Sequence, residues 1–132
     1  MSVTAALRDR AKADVALAAK VGDRVWRDER LQGRSTPAVT LVKISDPLDY
    51  THDGAQQLRD TLVQWDVWAS NRGDCDDVGD LLIAAVTAAG VQGDVAFQQS
   101  FVEADVDSTE RADTETIYRR RIDVRVWWKP AE

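Results

Sequence analysis

The strongest constraint on the fold is a run of strict alternation between residues 58 and 70. The side chains on the better core face of this run are Thr61, Val63, Trp65, Val67 and Ala69. The opposite face carries Leu62, Gln64, Asp66, Trp68 and Ser70. Because successive side chains of a strand point to opposite faces, a period of two predicts a half-buried β-strand. The chain must therefore build a sheet with one covered face.

Directly after this strand the apolar period changes to that of a helix. Residues 74–89 place Val78, Leu81, Leu82, Ala85 and Val86 in one stripe. This spacing predicts an amphipathic helix, and Gly90 marks its end. The two patterns together predict a strand that passes straight into a helix.

The first half of the chain predicts one further helix and two further strands. The alanine-rich start is typical of a helix that ends at Gly22, with Asp14 capping a second short turn inside it. Alternation over residues 24–28 predicts a short strand, and the β-branched run 38–45 predicts another. Strands that follow one another directly along the chain indicate an antiparallel sheet.

The remaining segments are loops and a hairpin. Glycine, proline and polar residues predict loops over 29–37 and 46–57. The strand-like runs 94–106 and 114–128 predict a hairpin that projects beyond the body. We therefore expect one α+β domain over residues 1–132, with an antiparallel sheet of four to five strands, two helices packed on one face and a long C-terminal β-hairpin.

An aspartate cluster opens the predicted helix and raises the question of a metal site. The string DDVGD at residues 76–80 matches a pattern that binds magnesium in isoprenyl-diphosphate enzymes, which are large helical bundles with a second acidic motif. This chain lacks both features. Asp74 as the N-cap, with Asp76 and Asp77 in the first turn, explains the same residues, because the helix dipole favours negative charge there by about 0.3 to 1 kcal/mol each.

No enzyme chemistry is indicated. His52 is the only histidine and falls in a predicted loop, and the single cysteine, Cys75, lies beside aspartates that oppose its thiolate. We predict a protein that is not an enzyme and has no catalytic residue, metal or cofactor. Charged residues near the start interrupt any signal-peptide core, and no apolar run approaches the roughly 18 to 20 residues of a membrane span. A soluble protein made in the cytoplasm is expected.

The last predicted strand has one apolar face and one basic face. The apolar face holds Tyr118, Arg120, Ile122, Val124, Val126 and Trp128. The basic face holds Ile117, Arg119, Arg121, Asp123, Arg125, Trp127 and Lys129. In a chain of net charge −6 this face is open to three interpretations: an interface for an acidic protein partner, a solvated face, or a nucleic-acid stripe.

Three short motifs resemble those of the tail-completion, or tail-terminator, proteins of long-tailed bacteriophages and gene-transfer particles. They are VGDRV at residues 21–25, a Pro-x-Val strand start at residues 37–39, and VQWDVWAS at residues 63–70. The resemblance implies a virion protein, assembled in the host cytoplasm, that forms a ring of six subunits. Such a ring caps the tail tube protein and meets the head-side connector, and DNA passes through it without specific binding.

Ring closure needs two different surfaces on each subunit, and charge segregation suggests which ones. The candidate interface residues are Trp68, Asp76, Asp77, Asp80, Arg119, Arg121, Arg125 and Trp127. Our hypothesis pairs the basic face of residues 117–129 with the acidic helix start at residues 74–80. The alternatives are a head-tail connector or neck protein of the same virion, and a small cytoplasmic nucleic-acid-binding module.

Overall fold

The computed structural model describes residues 2–28, 36–46, 50–51, 54–55, 58–112 and 115–131. The helices in this part of the chain are α1 (Val3–Ala13), α2 (Val15–Val21) and α3 (Arg72–Thr87). The strands are β1 (Val25–Arg27), β2 (Ala38–Ser45), β3 (Tyr50–Thr51), β4 (Gly54–Ala55), β5 (Arg59–Ala69), β6 (Gly90–Gln92), β7 (Val95–Phe97), β8 (Phe101–Ala112) and β9 (Glu115–Pro130). The α+β class is confirmed.

Seven strands form one sheet in the order β1-β2-β5-β9-β7-β6, and β8 also pairs with β9. The predicted number of four to five strands is too low. The sequence does not predict β6, and the run 94–106 divides into β7 and β8 around residues 98–100. The prediction of a wholly antiparallel sheet is also wrong, because β1 runs parallel to β2.

The centre of the sheet is the antiparallel pair β5 and β9. The pairing runs from Arg59 opposite Trp128 to Ala69 opposite Tyr118. On its other side β9 pairs with β7 near its C-terminal end and with β8 from Arg125 back to Glu115. The C-terminal hairpin is therefore confirmed, but at the end near the hairpin turn only residues 115–117 of β9 extend beyond β5.

The core lies between this sheet and the helices. All five side chains of the predicted core face of β5 are fully buried, from Thr61 to Ala69. On β9 the predicted apolar face is also confirmed, with Ile122, Val124 and Val126 fully buried. α3 packs on β5 and β9, and α1 packs on β1 and β2. The described residues contain three helices, where two were predicted, and α2 packs on α1 and α3.

The helix ends follow side-chain capping. Asp14 separates α1 from α2, and its carboxylate accepts a hydrogen bond from the Leu17 amide at 2.9 Å. Gly22 ends α2 with φ of 60°, a conformation that glycine adopts without strain. The predicted N-cap of α3 is wrong, because Asn71 and not Asp74 has the extended backbone and accepts the Asp74 amide at 2.8 Å.

The structure describes only parts of the two predicted loops. Residues 29–35 of the first lie outside the described part of the chain. The second contains a two-stranded sheet, with Tyr50 opposite Ala55 and Thr51 opposite Gly54, which is too short to show a sequence period. His52 lies outside the described residues. No helix in the described part of the chain is long and apolar enough to cross a membrane.

Candidate functional site

The aspartates at the start of α3 stand at the edge of a polar cleft. Asp76, Asp77 and Asp80 are exposed, and the side chain of Asp80 is 74% accessible. Asp76 and Asp80 line an open cleft together with Asp105 and Asp107 of β8, around Arg120 of β9. We call these five residues the acidic cleft. The described residues contain no cluster of three or more side chains placed to hold a metal ion.

Arg120 joins the three elements that form the acidic cleft. Its guanidinium donates two hydrogen bonds to Asp105, at 2.8 and 2.7 Å, and one to Asp80 at 3.1 Å. It also donates to the backbone carbonyl of Asp76 at 3.0 Å. The hydrogen bonds that Arg120 donates to Asp105 raise the pKa of Arg120, and the same contact lowers the pKa of Asp105. The guanidinium is thus permanently charged and almost fully coordinated.

The fold makes room for Arg120 at Gly79 of α3. A β-carbon at this position would lie 2.4 Å from the Arg120 Nη1 atom, closer than any ordinary contact. Arg120 occupies a slot on the apolar face of β9, where the alternation alone predicts a core residue. The signal that could have identified it is a charged residue at a buried position, because such a group needs partners.

Arg72, in the first turn of α3, fastens the helix to the hairpin. It donates to the carbonyls of Arg119 and Ser108 at 3.2 and 2.9 Å, and its Nη1 atom lies 3.2 Å from Asp107. Its guanidinium also lies 5.2 Å from the ring centre of Tyr118. Arg72 was not among the predicted site residues, and its contacts are all distant in sequence.

The second predicted surface lies on the sheet face opposite the helices. We call it the arginine face; its residues are Trp68, Arg119, Arg121, Arg125 and Trp127. Trp68 is half-buried, and its indole nitrogen donates to the Thr40 hydroxyl at 3.1 Å. Trp127 is half-buried, and its amide donates to the Ser100 hydroxyl at 3.2 Å.

Arg119 is paired with carboxylates of its own subunit. Its Nε atom donates to Asp66 at 2.8 Å, and its Nη1 atom donates to Glu110 at 3.3 Å. The hydrogen bond that Arg119 donates to Asp66 raises the pKa of Arg119, and the guanidinium lies 4.9 Å from the ring centre of Trp68. These contacts fix the side chain along the sheet.

Arg125 is paired in the same way, whereas Arg121 is held more loosely. Arg125 donates to Glu103 at 2.5 Å and to Asp60 at 2.6 Å, and its hydrogen bond to Glu103 is the main reason that the pKa of Arg125 is raised. The Arg121 side chain is 43% exposed, and its Nε atom lies 3.7 Å from Asp123. Arg121 is therefore the least engaged guanidinium of the arginine face.

The structure thus sorts the predicted interface residues into two groups. Asp76, Asp77 and Asp80 lie on the helix side of the sheet, in or beside the acidic cleft. The five residues of the arginine face lie on the other side. Cys75 is buried between them, and burial raises the pKa of its thiol, which disfavours the reactive thiolate.

Comparison with known proteins gives a family and a fold. Residues 5–129 match the family model described as Tail completion protein gp17. No curated protein matches the chain. A chain in the solved structure titled "Virion of native gene transfer agent (GTA) particle" is similar with a TM-score of 0.65 and 17% identity, over 97% of this chain and 95% of that chain.

The structural likeness concerns the fold, because 17% identity carries no more than that. The family match covers nearly all of the sequence, including the strand-to-helix segment from β5 to α3 and both surfaces described above. The chain therefore belongs to the tail-completion family, described as Tail completion protein gp17.

Proposed function

We propose that the protein caps the tail tube as a ring of six subunits, ends tail elongation and forms the surface that joins the tail to the head connector. The family makes it a structural tail protein, and the match over residues 5–129 is the observation that carries the proposal. The solved relative, a component of a gene-transfer virion, supports a place in the particle. This work is mechanical and requires no catalytic group.

A ring needs two different contact surfaces on each subunit, and the two groups of residues meet this requirement. The acidic side of α3, with Asp76, Asp77 and Asp80, is exposed and suited to a basic surface of a neighbour. The arginine face is suited to a second contact. Because Arg119 and Arg125 are already paired within the subunit, Arg121 is its best candidate contact, together with the half-buried Trp68 and Trp127 elsewhere on the face.

The charge balance of the arginine face supports passage of DNA without specific binding. Its three arginines lie beside five carboxylates of the same subunit. These carboxylates are Asp60, Asp66, Glu103, Glu110 and Asp123. Guanidinium groups that are matched in this way release few counterions from a phosphate backbone, so the face attracts nucleic acid weakly. This balance weakens the interpretation as a nucleic-acid-binding module.

The experiment that tests the proposal is localisation on assembled particles. Particles that carry a short epitope after residue 132 are labelled with antibody and imaged by negative-stain electron microscopy. We expect label at the head-proximal end of free tails, and tails of uncontrolled length when the protein is absent. Label on heads that lack tails would instead support a connector or neck protein and would contradict the terminator role.

A further inference from the structure

The helix α2 presents an apolar surface to solvent. Its buried side chains, Leu17 and Val21, face the core, whereas the side of the helix with Val15 is open and Val15 itself is 85% exposed. A surface helix normally presents charged and polar residues to solvent. Here the exposed residues between two lysines are alanines and one valine. We call this surface the α2 face; its residues are Lys12, Ala13, Val15, Ala16, Ala19 and Lys20.

The two lysines of the α2 face carry charges that the subunit does not match. No described residue forms an ion pair with Lys12 or with Lys20. Asp14 lies between them in sequence, but its carboxylate accepts a hydrogen bond from the Leu17 amide at 2.9 Å and caps α2. The α2 face is therefore apolar at its centre and basic at its ends, which suits a partner surface with small side chains and free carboxylates.

The solvent side of α3 has this complementary character. Gly73, Asp77, Asp80 and Ala84 recur every three or four residues, which places them in one exposed stripe, and Asp76 lies beside it. We call these five residues the α3 face. Asp80 is paired with Arg120, but no described residue forms an ion pair with the carboxylate of Asp76 or Asp77. The α3 face thus combines small side chains with two unmatched negative charges.

The charges of the hairpin do not compete for the lysines. Each carboxylate of β8 is already paired within the subunit: Glu103 with Arg125, Asp105 with Arg120, Asp107 with Arg72, and Glu110 with Arg119. Contact between two α2 faces would bring lysines together, and contact between two α3 faces would bring aspartates together. Because both like-charged contacts are unfavourable, charge selects contact between one face of each kind.

We infer that the α2 face of one subunit packs on the α3 face of the next subunit. The two lysines then meet the unmatched Asp76 and Asp77, and Val15 becomes covered. Glycine and alanine are small, so the two helix axes can approach to about 8 Å. The inference rests on the ring proposed above and identifies the basic surface that meets the acidic start of α3. Because the two faces differ, the contact is head-to-tail, as closure of a ring requires.

Charge reversal with rescue tests this contact. One variant carries Lys12→Glu and Lys20→Glu, a second carries Asp76→Lys and Asp77→Lys, and a third carries all four substitutions. Circular dichroism checks that each variant is folded. Tails are then assembled with each variant at low salt, and the amount of bound protein per tail is measured on gels.

We expect either reversal alone to reduce the bound protein about tenfold, because like charges then meet across the contact. The variant with all four substitutions should recover most of the binding, since opposite charges meet again. The control variant carries Asp94→Lys and Arg111→Glu, two exposed charges outside both faces, and should bind like the unsubstituted protein. Two weakened variants without recovery in the combined one would overturn the inference.

Disulfide trapping gives a second readout that does not depend on charge. Copies with Ala84→Cys are mixed with copies carrying Ala16→Cys or Ala19→Cys, and the assembled tails are oxidised and examined on non-reducing gels. Each chain carries one introduced cysteine and the native Cys75 is fully buried, so a covalent dimer must link the introduced positions of two subunits. We expect dimers in at least one mixture and none when a single variant is assembled alone. Dimers of Ala16→Cys alone would show two α2 faces in contact and would overturn the inference.

The inference and the proposed function can fail separately. A ring seen at the tail end by microscopy, without cross-linked dimers in either mixture, overturns the inference and leaves the proposed function standing. Absence of a ring at the tail end contradicts both.

Discussion

Arg120 and Asp105 lie diagonally across the β8–β9 ladder, and Arg120 donates two hydrogen bonds of 2.8 and 2.7 Å to the Asp105 carboxylate. The arginine side chain is 11% exposed and the aspartate side chain 38% exposed, so one partner is buried and the other reaches solvent. The pair connects an exposed edge strand to the covered face of the sheet. Loss of this pair should therefore lower the stability of the hairpin.

We expect Arg120→Ala to lower the free energy of unfolding by about 1 to 3 kcal/mol, because charge-assisted hydrogen bonds to two carboxylates and a carbonyl are lost. Denaturant unfolding followed by circular dichroism measures the change. Arg111→Ala is the matched control, since Arg111 is an exposed arginine of the same hairpin, and its effect should stay within about 0.5 kcal/mol. Equal effects of the two variants would contradict the assigned role of Arg120.

Gly79→Ala should destabilise the protein, although alanine is favoured over glycine in a helix interior by about 1 kcal/mol. The added β-carbon would lie 2.4 Å from the Arg120 guanidinium and must displace it. In an Arg120→Ala background the conflict disappears, and Gly79→Ala should then stabilise. A double-mutant cycle of unfolding free energies measures this reversal of sign, and simple additivity would refute it.

The stability of the hairpin should fall in acid. Hydrogen bonds from Arg125 lower the pKa of Glu103, and those from Arg120 lower the pKa of Asp105. Carboxyl groups with a lowered folded pKa contribute fully above their ordinary pKa of about 4, and the contribution is lost as pH falls through the folded values. Unfolding midpoints measured from about pH 5 to about pH 2 should show this loss. In Glu103→Gln the acid-dependent fall should be smaller, and an unchanged pH profile would contradict the assignment.

Arg121→Glu and Arg125→Glu should differ although both lie on the arginine face. Reversal at Arg125 places a third carboxylate beside Asp60 and Glu103 and should lower stability by about 1 to 3 kcal/mol. Reversal at Arg121 should leave thermal unfolding nearly unchanged but weaken assembly and make it more sensitive to salt. Light scattering at low and high salt measures assembly, and an unaltered ring with Arg121→Glu would remove the arginine face from the subunit contacts.

Asn71→Ala should cost more than Asp74→Ala. Asn71 accepts the Asp74 amide and caps α3, and loss of an N-cap costs about 1 kcal/mol. Asp74 contributes through the helix dipole, with about 0.3 to 1 kcal/mol, and through its bond from the Asn71 side chain at 3.0 Å. Thermal unfolding of the two variants ranks them, and the reverse order would restore Asp74 as the cap.

Segments with one buried face could be predicted from the sequence, because burial of one face requires apolar residues to recur with the period of the strand or helix. β2 occupies 38–45 as predicted, and β5 differs from the predicted run by one residue at each end. The capping role of Asp14 was also predictable, because it follows from the residue type and from its position before α2. Asn71 was missed because the first turn of α3 carries few apolar residues, so the helical period becomes visible only after the helix has begun.

The extent and the register of β8 could not be predicted because most of its side chains are exposed on both faces. Such a strand shows no alternation, and its register depends on β9 and on ion pairs such as Glu103 with Arg125. The acidic cleft could not be predicted for the same reason, because Asp105 and Arg120 are fifteen positions apart and are brought together only by the pairing of β8 with β9. The composition of each surface was predictable, but the internal pairing of its charges was not.

The position of β9 has a consequence for how the protein is made. β9 is the partner of β5, β7 and β8, and it follows all three in the chain. During synthesis, β5 and β8 therefore lack their β9 partner until residues 115–130 have left the ribosome. Folding that depends on such distant contacts is slow, and the waiting strands are prone to pair wrongly. Expression at low temperature, or with a chaperone that shields β5, should therefore raise the yield of folded subunits.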